Sequence, residues 1–323
     1  MKAIAYHRYG SPDVLKCEEV SKPAPGDDEV LIRVRAASVN PVDRHYRGSP
    51  YLARLMTGLR RPKDTRLGYD VAGEVEAVGA KVSRFKPGDP VFGVCRGAFA
   101  EYGCAAETAL VMKPDNVTFE QAASVPVAGL TALQGLRDKG KLQPGQQVLI
   151  NGAAGGVGTF AVQVAKSFGA EVTGVCSTRN VEMVRSIGAD RVIDYTREDF
   201  TKGTPRYDLI FDCISNHSLS AIRRVLNPRG KCVIAGGLSK VRVILTVALK
   251  ALLLSWVVSQ KFGMFVARRK PEDLAVLGDL LRAGKIMPVI DRRYRLSEVP
   301  EAMRYLDEGH ARGKIIITVE QDD

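Results

Sequence analysis

Apolar and polar residues repeat with two different periods along the chain, and the change of period divides it into two parts. In the first part, short runs alternate at every second position, as Val30, Ile32 and Val34 do, and turns such as residues 23–26 separate the runs. This period is typical of strands with one buried face. From about Thr118 the runs become helical, and after Gln147 short apolar runs alternate with helical ones. That alternation predicts a doubly wound parallel sheet.

The two patterns together predict an α/β protein with two domains. A β-rich, barrel-like domain is expected over residues 1–122 and 285–323, because the last strand-like runs most simply rejoin the first ones. A Rossmann-type nucleotide-binding domain is expected over residues 123–284. The length of 323 residues suits two domains better than one small core.

A glycine-rich turn lies between a predicted buried strand, residues 148–150, and a predicted helix. A second apolar strand follows, and strand, tight turn, helix and strand form the unit that binds a dinucleotide. Small residues let the backbone approach a pyrophosphate, and the helix start attracts the anion. A turn that serves packing alone is the alternative. The residues predicted to contact the cofactor here are Gly152, Ala153, Ala154, Gly155, Gly156, Val157 and Gly158.

The end of the second strand of this unit favours NADPH over NADH. An acidic residue there would hold a ribose 2′-hydroxyl, but the chain continues with Ser177, Thr178 and Arg179. Two hydroxyls and a guanidinium suit a 2′-phosphate, and this stretch holds no carboxylate to repel one. The alternative, that Arg179 is a solvated surface charge, stays open.

The net charge of +11 raises the question of anionic partners. Basic residues gather at 54–66 and around 261–270, where they could attract nucleic acid or anionic lipid, or help to gather a polyanionic cofactor. No basic motif interleaved with aromatic residues is present, so neither nucleic acid nor a membrane surface is the favoured partner.

A strongly apolar segment, residues 243–258, is too short for a membrane-spanning helix, which needs about 20 apolar residues. The N-terminal residues lack the pattern of a signal peptide. Six scattered cysteines without a CxxC pair suggest a reducing compartment. A cytoplasmic location is therefore expected.

Several motifs in order span nearly the whole chain: ASVNPVD, GYDVAGEVEAVG, FKPGDPVFG, GAFAEY, PVAGLTAL, NGAAGGVG and the final GKIIITV. Together they closely resemble the zinc-independent quinone oxidoreductase, or zeta-crystallin-like, branch of the medium-chain dehydrogenase/reductase superfamily. The resemblance implies a GroES-like barrel domain beside the Rossmann-type domain. It also implies a homodimer and a quinone or enone as the small-molecule substrate.

The residues at the zinc-binding positions of the superfamily argue against a metal site. By resemblance, zinc alcohol dehydrogenases carry a cysteine at the position of Asn40 and a histidine at that of Tyr69. A catalytic zinc needs three protein ligands of the cysteine, histidine or carboxylate kind. The four-cysteine lobe of a structural zinc is missing too, since Cys95 and Cys104 have no neighbouring cysteines. No metal site is predicted.

The resemblance also assigns individual residues to the site. It implies that Asn40 and Tyr46 lie near the nicotinamide and the substrate, as catalytic candidates; a Tyr46 that only packs is the alternative. Asp43 is interpreted as a cap of its turn rather than as a base. The further cofactor contacts implied by resemblance are Thr131, Tyr195, Gly236 and Gly237.

The prediction is therefore a zinc-independent, NADPH-dependent oxidoreductase that transfers a hydride to a quinone or an α,β-unsaturated carbonyl. Without a Lewis acid, a conjugated acceptor is favoured, because hydrogen bonds can support the charge that spreads onto its oxygen. One alternative is an enoyl-thioester reductase of the same superfamily. Another is a low-turnover NADPH-binding protein with affinity for RNA or a membrane surface.

Overall fold

A computed structural model describes residues 1–48, 58–236 and 259–320. The chain forms two compact units. The first comprises Met1–Ala128, Arg269–Gly284 and Pro288–Asp323, and the second comprises Gly129–Arg268 with Lys285–Met287. The apolar segment 243–258 and residues 54–57 of the basic segment lie outside the described residues.

The first unit is built on a seven-stranded sheet with the order β14-β15-β3-β4-β5-β7, in which β6 also pairs with β3. A separate antiparallel pair, β1 and β2, completes its strands. The strand bounds are β1 Lys2–Ala5, β2 Lys16–Glu19, β3 Glu29–Val39, β4 Asp70–Val78, β5 Pro90–Val94, β6 Tyr102–Ala106, β7 Leu110–Met112, β14 Ile290–Arg295 and β15 Lys314–Thr318.

The long strand β3 organises this sheet. Two register shifts of the kind that β-bulges produce interrupt its pairing with β4. Its first half pairs with β6, and its last residues pair with β15. Ile315 lies opposite Val39, so the end of the chain joins the early strands. The predicted return of the last strand to the N-terminal part is confirmed.

Helices of the first unit lie before, between and after these strands. Their bounds are α1 Pro41–Arg47, α2 Phe119–Ala123, α7 Pro271–Arg282 and α8 Val299–Glu308. Sequence reasoning placed α7 in the nucleotide-binding domain, within residues 123–284. The structure groups it with the first unit, where it lies against β7 and where Asn116 donates a hydrogen bond to the carbonyl of Leu281 at 2.9 Å.

The second unit contains a six-stranded parallel sheet with the order β10-β9-β8-β11-β12-β13. Its strands are β8 Gln147–Asn151, β9 Glu171–Cys176, β10 Arg191–Asp194, β11 Tyr207–Asp212, β12 Leu226–Ile234 and β13 Lys261–Met264. The chain runs outward from β8 to β10 and then returns to place β11 beside β8. Ligands of such sheets bind at the carboxyl ends of the strands where the direction reverses. The predicted Rossmann-type sheet is confirmed.

The helices that connect these strands are α4 Gly156–Ser167, α5 Val181–Ser186 and α6 Leu219–Arg224. Helix α3, Pro126–Gln134, precedes β8 and continues into a π-helical turn over Gly135–Gly140. A Cβ on Gly135 would lie 2.2 Å from the Phe211 ring, so this turn packs tightly on the sheet. No helix within the described ranges is both long and apolar enough to cross a membrane.

Candidate functional site

The glycine turn after β8 has the geometry of a phosphate cradle. Gly152 has a φ of +86°, which side chains rarely adopt. Helix α4 begins at Gly156 with Gly155 as its N-cap. A Cβ on Gly158 would lie 2.0 Å from the carbonyl oxygen of Gly152, so only glycine allows the helix this close to the strand. The first turn of a helix presents N–H groups without intrahelical acceptors, which suits an anion.

Two neighbouring strands hold this turn in place. The N–H groups of Gly152 and Ala153 donate to the carbonyl of Val175 in β9, at 3.2 and 3.0 Å. The Asn151 amide donates to the buried carboxylate of Asp212 at 2.9 Å, which ties the ends of β8 and β11 together. Sequence reasoning missed this pair, although both residues end apolar runs and parallel strand ends meet at one edge of a sheet.

The same Asp212 carboxylate also holds the loop that follows β11. It accepts hydrogen bonds from the N–H groups of Ile214 and Ser215, at 3.0 and 2.8 Å. Ile214 contacts the turn, since its Cδ1 would lie 2.8 Å from a Cβ on Gly152. The Ser215 hydroxyl donates to the carbonyl of Gly236 at 2.7 Å. Gly236 is therefore linked through Ser215 to the loop that follows β11, whereas Gly237 lies outside the described residues.

A carboxylate lies beside the proposed 2′-phosphate residues, which corrects the sequence-based inference that none is there. Asp194 ends β10 and pairs in register with Cys176, the last residue of β9. The Thr178 hydroxyl donates to Asp194 at 2.6 Å. This bond lowers the pKa of the Asp194 carboxyl, with help from Thr196 and Arg197. The residues that directly follow β9 hold no carboxylate, but parallel pairing brings in the residues that end β10.

The remaining predicted cofactor residues differ in exposure. Arg179 and Tyr195 are exposed near the end of β9, where the N–H of Tyr195 donates to the carbonyl of Cys176 at 3.0 Å. Ser177 is half-buried, and its hydroxyl accepts from the Asn180 amide at 3.1 Å. Thr131 lies half-buried on helix α3.

In the first unit, Asn40 belongs to a buried polar network. Its amide nitrogen donates to Asp70 at 2.8 Å and to the carbonyl of Ser38 at 3.2 Å. Its amide oxygen accepts from the Lys314 ammonium at 2.7 Å. Asn40 is 2% exposed, Asp70 0% and Lys314 3%. Because protein partners already use both amide atoms, these contacts favour a positioning role for Asn40 over contact with a substrate.

The network contains opposite charges that lie a short distance apart. Lys314 Nζ lies 3.3 Å from Asp70 Oδ2. Burial lowers the pKa of Lys314, and Asp70 acts in the opposite direction. Asp43 caps helix α1, since its carboxylate accepts from the N–H of Asn40 at 2.8 Å. Burial raises the pKa of Asp43 to about 7. The interpretation of Asp43 as a cap is confirmed.

Tyr46 on helix α1 forms a pair with Tyr69, the residue at the position of the zinc-ligating histidine. Their ring centroids are 5.5 Å apart. Burial raises the pKa of Tyr69, and a hydrogen bond with Tyr46 adds to the shift. The Arg269 guanidinium lies over the Tyr69 ring, 4.8 Å from its centroid. The two tyrosines therefore lie side by side, with Tyr46 half-buried.

Metal-ligating side chains do not cluster in residues 1–48, 58–236 and 259–320: no group of three histidine, cysteine, aspartate or glutamate residues there could hold an ion. The positions that resemble zinc ligands carry the Asn40 amide and the Tyr69 phenol. The buried cation bonded to Asn40 is the ammonium of Lys314.

Two family models match the chain. One describes the alcohol dehydrogenase GroES-like domain and matches residues 26–115. The other describes a zinc-binding dehydrogenase and matches residues 187–317.

Similar proteins cover the chain from end to end. A chloroplastic quinone oxidoreductase of Triphysaria versicolor is 37% identical, over 98% of this chain and 98% of its own. A chloroplastic NADPH-dependent alkenal/one oxidoreductase of Arabidopsis thaliana is 35% identical, over 98% of this chain and 79% of its own. The solved structure of a quinone oxidoreductase from Coxiella burnetii is 33% identical and has a TM-score of 0.86, with 99% of each chain covered.

These similarities extend over both units and match the fold that the sequence predicted. The predicted resemblance is confirmed: the chain belongs to the medium-chain dehydrogenase/reductase superfamily, within its quinone oxidoreductase branch.

Proposed function

We propose that this protein is a zinc-independent, NADPH-dependent oxidoreductase that transfers a hydride to a quinone or an α,β-unsaturated carbonyl. The observation that carries the proposal is the glycine cradle at the start of α4, where Gly152 and Gly158 leave room that a Cβ would fill. The relatives named as quinone and NADPH-dependent alkenal/one oxidoreductases support the same activity.

The residues of the second unit fit NADPH. The cradle, Gly152 to Gly158, would hold the pyrophosphate against the first turn of α4. Ser177, Thr178 and Arg179 would hold the 2′-phosphate, with Arg179 supplying the positive charge. Asp194, which accepts a hydrogen bond from Thr178, would repel the phosphate. Thr131, Tyr195, Gly236 and Gly237 remain proposed contacts. NADPH, when bound, supplies the hydride and its two electrons.

The first unit supplies hydrogen bonds for the acceptor. Hydride addition to the β-carbon of an enone moves negative charge to the carbonyl oxygen, and a proton from solvent then completes the saturated carbonyl. A quinone takes one hydride and one proton to become a hydroquinone. We assign the support of this oxygen to the hydroxyl of Tyr46, whose ring packs against that of Tyr69. Asn40 positions the start of helix α1 through its contacts with Asp70 and Lys314.

Zinc independence is supported by the composition of the buried network. Its cation is Lys314, whose ammonium contacts Asn40 and Asp70. Because this ammonium already binds Asn40 and Asp70, neither side chain is available as a ligand for a zinc ion. A conjugated acceptor fits such a site better than a simple alcohol, whose alkoxide needs a Lewis acid.

Partner and location stay predictions. The homodimer is inferred from resemblance, and the cytoplasmic location from cysteine usage, whereas the named plant relatives are chloroplastic. Enoyl-thioester reduction and cofactor binding with little turnover remain the competing functions.

The deciding experiment measures oxidation of NADPH and NADH by the purified protein. The acceptors are ortho- and para-quinones, short enones and a crotonyl thioester, each with and without EDTA. NADPH-dependent turnover of quinones or enones that survives EDTA supports the proposal. Preference for the thioester would indicate the enoyl reductase, and loss of activity with EDTA would contradict zinc independence. Tight NADPH binding without turnover of any acceptor would indicate a binding protein.

A further inference from the structure

A basic cavity lies in the nucleotide-binding unit, at the opposite edge of the sheet from the glycine turn. The turn follows the carboxyl end of β8, whereas this cavity lies at the amino ends of β11, β12 and β13. It has a volume of about 550 Å³. Its lining residues are Thr201, Lys202, Gly203, Arg206, Ser220, Arg223, Arg224 and Gln260.

The short helix α6 brings three of these side chains together. Ser220, Arg223 and Arg224 are spaced three and four residues apart, which places them on one side of the helix. The helix contacts the turn Phe200–Lys202, which carries Lys202. Arg206, immediately before β11, completes a set of four cations around one cavity.

Neighbouring groups hold this cavity in shape. Arg206 Nη1 donates to the carbonyl of Leu226 at 3.4 Å. The Gln260 amide donates to the carbonyls of Arg223 and Leu226, at 3.3 and 3.2 Å. Gln260 is 9% exposed, so the amino end of β13 is fixed to the end of α6.

The positive charge of the cavity is largely uncompensated. Lys202 lies 3.7 Å from Asp199, whose carboxylate also accepts from the Thr201 hydroxyl. Within the part of the chain that the structure describes, no carboxylate pairs with Arg206, Arg223 or Arg224. Three guanidinium groups that line one cavity, without a paired carboxylate among the described residues, repel one another, and an anion bound there would relieve that repulsion.

The lining residues identify the class of anion. Guanidinium groups match phosphate oxygens with paired hydrogen bonds, and the Ser220 hydroxyl adds a further donor. Among the residues that the structure describes, no aromatic side chain lines the cavity, so this lining offers a nucleobase no stacking surface. We propose that this cavity binds an anion with two or more phosphate groups, as a site separate from the glycine turn.

A second cavity in the same unit provides a matched control. It has a volume of about 290 Å³ and also presents four cations, Lys139, Lys141, Lys231 and Lys261. Its other lining residues include the apolar side chains of Val233, Phe262 and Met264. If anions were attracted only by the overall positive charge of the protein, loss of charge at either cavity would weaken binding equally. If the proposed site binds the anion, loss of charge at the arginine-lined cavity would weaken binding much more.

The test is calorimetric titration of pyrophosphate into the whole protein at low, fixed salt with saturating NADPH, which occupies the glycine turn. We expect one pyrophosphate per chain. The double variant Arg223→Gln/Arg224→Gln should weaken binding about tenfold or more, because two charge-assisted contacts are lost. Lys139→Gln/Lys141→Gln, with the same change of charge, should leave the affinity within about twofold. NADPH binding and thermal unfolding verify that both variants are folded.

Three results would overturn the proposal: no pyrophosphate binding, an affinity unchanged by Arg223→Gln/Arg224→Gln, or equal loss in the two double variants. A vesicle arm separates the sources of the phosphate groups. Flotation with phosphatidylcholine vesicles that carry a phosphoinositide, if lost in Arg223→Gln/Arg224→Gln, supports a lipid headgroup as the ligand. Pyrophosphate binding without flotation supports a free phosphate compound.

Discussion

The ammonium of Lys314 lies 2.7 Å from the amide oxygen of Asn40, and neither side chain is more than 3% exposed. Lys314 begins the last strand, and Asn40 caps the first helix. The bond places a fixed positive charge among buried polar groups, and Asp70 balances it at 3.3 Å. The network is therefore neutralised by the chain itself.

Removal of the cation should destabilise the first unit. Lys314→Met would leave Asp70 buried and ionised without its partner, at an expected cost of about 3–5 kcal/mol. Urea unfolding measures the difference. Lys86→Met, at an exposed position, is the control and should change stability by less than about 0.5 kcal/mol. Similar small shifts in both variants would show that the network carries little stability.

The titration of Asp43 should make stability fall as the pH rises. Burial raises its pKa in the folded protein to about 7 from the ordinary value of 3.8. The folded state then holds the proton more tightly than the unfolded state, so this contribution is complete below about pH 4 and disappears as the pH passes 7. Asp43→Asn lacks the titration.

The difference in unfolding free energy between wild type and Asp43→Asn should therefore shrink from pH 4 to pH 7, across the interval between the two pKa values. Denaturant titrations at several pH values measure it. A difference that stays constant across this range would mean that Asp43 remains ionised in the folded protein.

The cradle should not tolerate a side chain at Gly158. A Cβ there would lie 2.0 Å from the Gly152 carbonyl oxygen, so Gly158→Ala must move the helix or the turn. We expect NADPH affinity to fall about tenfold or more, because the N–H groups at the helix start no longer face the pyrophosphate. Fluorescence titration of NADPH measures it. Gly263→Ala, where a Cβ meets no atom of the described residues within 4 Å, should bind NADPH normally.

Asp194 and Arg179 should act in opposite directions on cofactor choice. Asp194→Asn removes the negative charge 2.6 Å from the Thr178 hydroxyl and should raise the preference for NADPH over NADH several-fold. Arg179→Gln should reduce that preference about tenfold, through loss of a charge-assisted contact with the 2′-phosphate. The ratio of dissociation constants for the two cofactors is the readout. Equal ratios in all three proteins would place the 2′-phosphate elsewhere.

The tyrosine pair should affect turnover more than substrate binding. Tyr46→Phe should lower kcat for an enone about 10- to 100-fold with little change in KM, because the lost hydrogen bond supports charge that develops only in the transition state. Tyr69→Phe, which removes the partner of that hydroxyl, should give a smaller decrease. Tyr102→Phe is the control. An unchanged kcat in Tyr46→Phe would assign this tyrosine to packing alone.

Local patterns predicted the parts of the protein that depend on neighbouring residues. The turn between Gly152 and Gly158 was predictable because its small residues, the preceding strand and the following helix lie within one short stretch. The parallel sheet was predictable for the same reason, from short apolar runs between helical ones. In both cases the chemistry that specifies the structure is local in sequence.

The features that were missed depend on contacts between distant residues. Lys314 and Asn40 are 274 positions apart, and nothing in the final strand pattern marks its lysine as buried. Asp194 reaches Thr178 only through the register of two parallel strands. Helix α7 follows the second unit in sequence and lies within the predicted range 123–284, but its contacts group it with the first unit.

The late position of Lys314 also has a consequence for synthesis of the chain. Asp70 precedes it by 244 residues. At about 5–20 residues per second, a ribosome needs roughly 12–50 s to add the lysine after the aspartate. Throughout that interval the nascent first unit lacks both its counter-ion and the strand that pairs with Val39. In sequence, the second unit lies between Asp70 and Lys314, so its sheet can form before the first unit is complete.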